Sequence, residues 1–187
     1  MTHARSGFAS WGFTLLFLVP LVASSDTTAS EHAYVGAQKC KMCHNSASKG
    51  AQFTQWSKSR HALAYQTLAG DEAKKIATEK GIADPQKADE CLKCHVTGHG
   101  APADKLTAKY TVEDGVGCES CHGAGSDYQK MKIMKSREQS LAAGLIIPNE
   151  QGCITCHNSE SPVFKGFDFK AYFEKISHPN PKKAAQK

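Results

Sequence analysis

Four times the chain places two cysteines two residues apart and follows them at once with a histidine: Cys40-Lys41-Met42-Cys43-His44, Cys91-Leu92-Lys93-Cys94-His95, Cys118-Glu119-Ser120-Cys121-His122 and Cys153-Ile154-Thr155-Cys156-His157. These copies use all eight cysteines. Two thiols at that spacing can add to the two vinyl groups of one haem, while the adjacent imidazole reaches the iron from the same side. Each copy therefore marks a site for one covalently held c-type haem, four haems and four irons in all. A zinc ribbon, a thioredoxin-like redox pair or a disulfide framework would also explain paired cysteines, but none of them needs the histidine. With 9 histidines in 187 residues, four in register by accident has a chance of roughly 5 in a million under the composition prior, which decides for haem.

The second axial ligand sets what each iron can do. A haem with two side-chain ligands only takes or gives an electron, whereas a five-coordinate haem can bind a small molecule. Setting aside the proximal residues His44, His95, His122 and His157, together with His3 near the start, leaves His32, His61, His99 and His178, one for each haem. His61 follows Phe53 and Trp56 on one face of a helix-like stretch. His178 closes an amphipathic segment carrying Phe167, Phe169, Tyr172 and Phe173, aromatics suited to packing on porphyrin; an exposed helix-capping histidine is the alternative. His99 lies four residues past His95 and can hardly reach the far face of the same haem, so its use would be on another. His32 stands near the mature terminus. Met131 and Met134 are alternative soft ligands, with core packing as their other role. No acid, base or nucleophile constellation stands out, and Asp71-Glu72 and Asp89-Glu90 read as solvated helix termini.

The elements that must position these groups read as helices and long loops, with little or no sheet. Residues 51–68 are expected to form one helix of some five turns. A shorter one runs from Asp71, as N-cap, to Lys80 and stops at Gly81. A third spans Ser126 to Ala143, ending at Gly144, and the last spans Asp168 to Ser177, stopped by His178-Pro179. Loops are expected around 98–102 and 115–125. The glycines of Gly115-Val116-Gly117 and Gly123-Ala124-Gly125 would let the second and third haems, 27 residues apart in sequence, come into contact.

Residues 1–29 read as a secretory signal peptide, with Arg5 ahead of an apolar run from Phe13 to Val22. That run is too short to cross a bilayer, which needs about 20 residues, so no integral membrane segment is expected once the leader is removed. Residues 30–187 then form one compact tetrahaem domain, organised around its cofactors, with 179–187 as a mobile basic tail. The expected location is periplasmic or extracellular in a bacterium. The net charge of +5 falls to about +1 oxidised and about −3 reduced once haem propionates are counted. The basic residues are thus expected to partner propionates, and nucleic acid is excluded as a target.

The motifs together resemble the tetrahaem cytochrome c-554 family. The resemblance rests on Val35-Gly36, on Trp56 to His61, on Cys94-His95-Val96-x-Gly98-x-Gly100, and above all on Gly115-Val116-Gly117-Cys118-Glu119-Ser120-Cys121-His122-Gly123-x-Gly125. It implies a mostly helical fold, haems in stacked and perpendicular pairs, electrons accepted from a periplasmic oxidoreductase, and distal ligands at His61 and His178. Where that family has a histidine soon after the third motif, this chain has Met131-Lys132, so one haem must find another ligand, His99 or His32. Should His99 turn elsewhere, the haem on Cys91 and Cys94 is the one expected to be open. The leading expectation is an exported electron carrier between a redox protein donor and an acceptor, with no substrate chemistry. A nitrogen oxide reductase at one five-coordinate haem, and an oligomeric conducting filament in which His32 ligates the next subunit, are the alternatives.

Overall fold

The computed structural model of the chain describes residues 1–2 and 31–181. The expected leader, apart from its first two residues, and the last six residues of the basic tail lie outside the described residues.

Every cysteine motif sits on helical backbone. Helix α1 (Ala37–His44) ends on its motif histidine. Helices α2 (Gln52–Ser57), α3 (Ala64–Thr67) and α4 (Asp71–Glu79) follow, and α5 (Asp89–His95) carries the second motif. Helix α6 (Cys118–His122) is the third motif itself. After α7 (Met131–Met134) and α8 (Arg137–Ala142), helix α9 (Glu150–Ile154) begins the fourth, and Cys156 and His157 extend it by bonding their N–H groups to Cys153 O at 3.2 and 3.0 Å. Helix α10 (Phe169–Ile176) closes the series. Residues i, i+3 and i+4 of a helix share one face, so this backbone lines both thiols and the imidazole along one stripe.

Three expected elements are corrected. The single helix over 51–68 is two short helices, and His61 stands in the turn between them. The break follows from where the Val116 peptide is held: Trp56 Nε1 donates to Val116 O at 2.9 Å, and Val116 N donates to His61 O at 2.9 Å. The expected helix over 126–143 begins only at Met131, after turns over 126–130, and divides at Lys135–Ser136, because the Ser136 hydroxyl accepts from Gln139 N at 3.2 Å and starts α8 afresh. The expected loop over 115–125 contains α6, with Gly117 and Gly123 as its caps. In α4 the N-cap is Gly70; Asp71 instead joins Glu72 in the first turn, where carboxylates suit the helix dipole. Gly81, at φ +70°, ends that helix as expected, and Asp168 caps α10 through Ala171 N at 2.9 Å.

The β structure among the described residues is an isolated parallel bridge between Tyr34 and Leu106. Buried apolar side chains among the described residues are Val35, Ala37, Phe53, Ala62, Ala64, Leu68, Ala77, Val96, Ala124 and Tyr128, half of them alanine. So small a protein core leaves several large apolar groups in solvent, and some of them lie at or near the motifs: Met42 within the first, Leu63 beside His61, Ile146 against Gly123, Ile154 within the fourth and Tyr172 against His157. What organises the centre instead is Glu119, 4% exposed, whose carboxylate accepts from Val35 N, Gly36 N and Gly125 N at 2.7–3.1 Å. It clamps the segment leading into α1 onto the third motif.

Candidate metal centres

The free thiols of the four motifs are brought together in two pairs. Cys40 lies beside Cys118, which links the first motif to the third, and Cys94 beside Cys156, which links the second to the fourth. The neighbouring Cys118 holds the Cys40 thiol below its ordinary range, and Cys40 in turn raises that of Cys118. Burial, reinforced by Cys156, pushes Cys94 up to about 11. No disulfide joins any of the eight cysteines. Among the described residues no group of three or more His, Cys, Asp or Glu converges as a metal cage, which is the arrangement a tetrahedral zinc site demands.

The histidines show a different kind of convergence. The rings of His61 and His157 lie edge to face with centroids 6.0 Å apart, and those of His122 and His178 lie likewise at 6.2 Å. A metal–imidazole nitrogen bond of about 2.0 Å, with the ring centre roughly 1.1 Å further on, puts two imidazoles across one metal about 6 Å apart. Both pairs thus have the spacing of axial ligands on a shared iron. Each joins a motif histidine to one of the spare histidines, so the structure brings His61 to the fourth motif and His178 to the third.

Tautomers agree with that role. His178 Nδ1 lies 2.8 Å from Ile176 O, His95 Nδ1 2.7 Å from Ala64 O, and His122 Nδ1 3.3 Å from Ile146 O. A carbonyl can only accept, so the proton is on Nδ1 and the Nε2 lone pair is left bare for a metal. His32 Nδ1 lies 2.6 Å from the Asp127 carboxylate and is oriented in the same way. His99 is the exception. Its Nε2 faces Asp89 Oδ1 at 3.1 Å, on the first turn of α5, so that nitrogen carries the proton. Burial pushes His44, His61, His122 and His157 below the ordinary imidazole range, helped at His61 by the His157 ring, and so favours the neutral form a ligand must have.

Packing around the fourth motif is aromatic. Phe167 stacks on the His157 ring at 4.7 Å and 15°, and Tyr172 packs against Phe167 at 5.3 Å. Met131 is 66% exposed, and the Met134 sulfur accepts from Ser140 Oγ at 3.9 Å, so Met134 packs within the α7–α8 pair. The glycines near the third motif serve protein contacts. A Cβ at Gly115 would come within 2.8 Å of His61 O, and one at Gly123 within 2.6 Å of Gly144 O. The second and third motifs meet through Thr97, which donates its N–H to Gly115 O at 2.9 Å and whose hydroxyl lies 2.7 Å from Ser120 Oγ.

The sequence reading missed Glu119, Asp127 and Thr97 as positioning groups. Glu119 carried a signal, as a carboxylate inside a glycine-bounded motif; Asp127 and Thr97 carried none, since their partners lie far along the chain.

Paired thiols, opposed imidazoles, oriented tautomers and apolar groups left uncovered at the motifs together fit covalent haem. The family model described as cytochrome c554 and c-prime matches residues 39–123, which takes in the first three motifs. Cytochrome c-554 of Nitrosomonas europaea (strain ATCC 19718) is 30% identical over 167 residues, covering 78% of this chain and 66% of that protein. The chain belongs to the cytochrome c-554 family. Membership of this cytochrome family makes the cofactor c-type haem with its iron. No solved structure matches the chain. Among the described residues no helix is long and apolar enough to cross a membrane.

Proposed function

We propose that the chain is an exported tetrahaem cytochrome that passes single electrons between a donor and an acceptor protein. The opposition of His61 to His157 and of His122 to His178, at 6.0 and 6.2 Å, carries this reading. Cys40 and Cys43, Cys91 and Cys94, Cys118 and Cys121, and Cys153 and Cys156 hold the four haems, with His44, His95, His122 and His157 as proximal ligands. Haem bound at these positions supplies a one-electron iron couple.

The residues supply the rest. His61 and His178 would supply a second side-chain ligand at the fourth and third sites, and sites held in that way would exchange electrons and admit no substrate. Phe167 and Tyr172 shield His157 from water, and the carbonyls at 64, 146 and 176 fix the imidazole planes. The thiol pairs Cys40–Cys118 and Cys94–Cys156 set the first site against the third and the second against the fourth, which suits a relay. Export through the leader over 1–29 places the chain in the periplasm, where covalent haem attachment occurs.

One observation supports a second reading at a single site. The structure turns His99 onto Asp89, which supports a haem on Cys91 and Cys94 with one protein ligand, His95, and room for a small molecule such as a nitrogen oxide.

Intact mass and ferric electron paramagnetic resonance of the exported protein test both readings. Four added haems with mainly low-spin iron are expected, with a high-spin signal from no more than one haem in four. A polypeptide without added macrocycles, or one whose thiols hold zinc, refutes the proposal.

A further inference from the structure

The charges of this chain are unevenly placed. Between residues 32 and 70 there are five basic side chains, Lys39, Lys41, Lys49, Lys58 and Arg60, and no acidic one, whereas residues 71–181 carry fourteen basic and sixteen acidic. The basic run is a single structural unit. Helices α1 and α2 form a hairpin joined by Thr54 Oγ1 to Asn45 Oδ1 at 2.6 Å and by Lys41 Nζ, 5.3 Å over the Phe53 ring. All five cations are exposed, and among the described residues none of them forms a salt bridge. In their midst the first motif reaches the surface: Cys43 is exposed and Met42 is 78% exposed.

We infer that the α1–α2 hairpin is the docking face for an acidic redox protein, seated over the first haem site. This rests on the electron-transfer reading above. A stretch with five exposed cations and no acidic side chain of its own, beside −2 of formal charge over 71–181, gives the described residues an uneven charge that orients an anionic partner before contact, raising association rates by about 10–10³ at low salt. The exposed Met42 supplies a soft apolar centre inside the charged rim. A membrane surface is the less suitable occupant, because helices α1 and α2 themselves present no exposed Trp, Phe or Leu to enter lipid, and Leu63 is the one such side chain over 32–70. Among the described residues no carboxylate pairs with any of these cations, so their charge is not neutralised within the protein.

The test uses the haem-loaded protein, reduced in a stopped-flow instrument by two probes: flavodoxin hydroquinone, an acidic protein, and hexaammineruthenium(II), a small cation. The variant is K39E/K41E/K49E, and the control is K165E/K170E/K175E, which makes the same change of net charge at α10 and the segment before it. At low salt the hairpin variant is expected to slow flavodoxin about tenfold, an effect that fades at 0.5 M salt, and to leave or quicken the ruthenium reaction. The control should change flavodoxin less than twofold. Equal slowing in both variants would make net charge the cause and overturn the docking face. Parallel slowing with both probes in the hairpin variant would assign the lysines to haem propionates and overturn it too. Sedimentation with vesicles of phosphatidylcholine and phosphatidylglycerol in a 3:1 ratio, abolished in the variant while flavodoxin rates stay level, would reassign the face to lipid. An intact four-haem spectrum alongside any of these results leaves the proposed function standing, whereas a protein without haem removes both.

Discussion

Gly115→Ala tests how the loop before the third motif places a ligand of the fourth. Gly115 has φ +60°, and an added Cβ would lie 2.8 Å from His61 O and 3.1 Å from Ala62 O. Both obstacles are backbone atoms that cannot swing aside. Gly81→Ala is the matched control, since it has φ +70° with nothing within 4 Å of its Cβ. A positive φ alone costs about 1–2 kcal/mol for a residue with a Cβ, and Gly81→Ala should cost that much. Gly115→Ala must in addition push the 61–62 backbone away, which breaks or lengthens the bonds from Val116 N to His61 O and from Thr97 N to Gly115 O, both 2.9 Å. At about 1 kcal/mol each, the total comes to roughly 3–4 kcal/mol. For a chain of this size 1 kcal/mol moves Tm by about 2–4 °C, so Gly115→Ala should melt roughly 6–16 °C below the parent and Gly81→Ala roughly 2–8 °C below. The shift at His61 should also turn part of one haem in four high-spin in the ferric spectrum, while Gly81→Ala leaves the spectrum unchanged. Equal melting losses for the two variants, with low-spin iron retained in Gly115→Ala, would refute the placement of His61 by this loop.

Further expectations concern single ligands and one buried acid. His61→Ala and His178→Ala should each produce a high-spin fraction worth one haem in ferric resonance spectra, and the double variant should produce two; a single fraction in the double variant would mean that both serve one iron. Carbon monoxide added to reduced protein should shift the absorption of at most one haem in four, and His99→Ala should leave that fraction unchanged; a new carbon monoxide site in His99→Ala would show that His99 is a ligand after all. Glu119 is raised above the ordinary carboxylate value by burial, with three backbone N–H donors and so only partial relief. The folded protein therefore holds this proton more tightly than the unfolded chain, and the carboxyl contributes stability that is lost as pH rises from about 4.5 through its folded value. Glu119→Gln should remove that slope in urea unfolding measured between pH 4 and pH 7, at the cost of a lower overall midpoint from weakened bonds to Val35, Gly36 and Gly125 N–H; an unchanged slope would show that another group carries it.

The local chemistry was legible in the residue order because it depends on spacings of three and four. A thiol, a second thiol three residues on and an imidazole one further are set by helical geometry alone, and Gly81, Asp168 and the stop before Pro179 are decided by φ and by cap hydrogen bonds within a few residues. The helix over 51–68 was misread because its break is enforced from outside, by a peptide at Val116 that lies 55 residues beyond His61 and competes for its carbonyl. The division of 126–143 has a local cause instead, since the Ser136 hydroxyl caps a new helix through Gln139 N and outweighs helical propensity.

Residue order by itself determined that eight cysteines and four following histidines make four equivalent motifs, that four histidines besides His3 are left over, and that strands are scarce. Which spare histidine lies beside which motif histidine was decided by the tertiary structure: the His61 ring lies near His157, 96 residues away, and the His178 ring near His122, 56 residues away. The reason is physical. Periodicity encodes only neighbours on one element, whereas opposing two imidazoles across about 6 Å requires chain segments joined by non-local bonds, here through Val116, Thr97 and the buried carboxylate of Glu119.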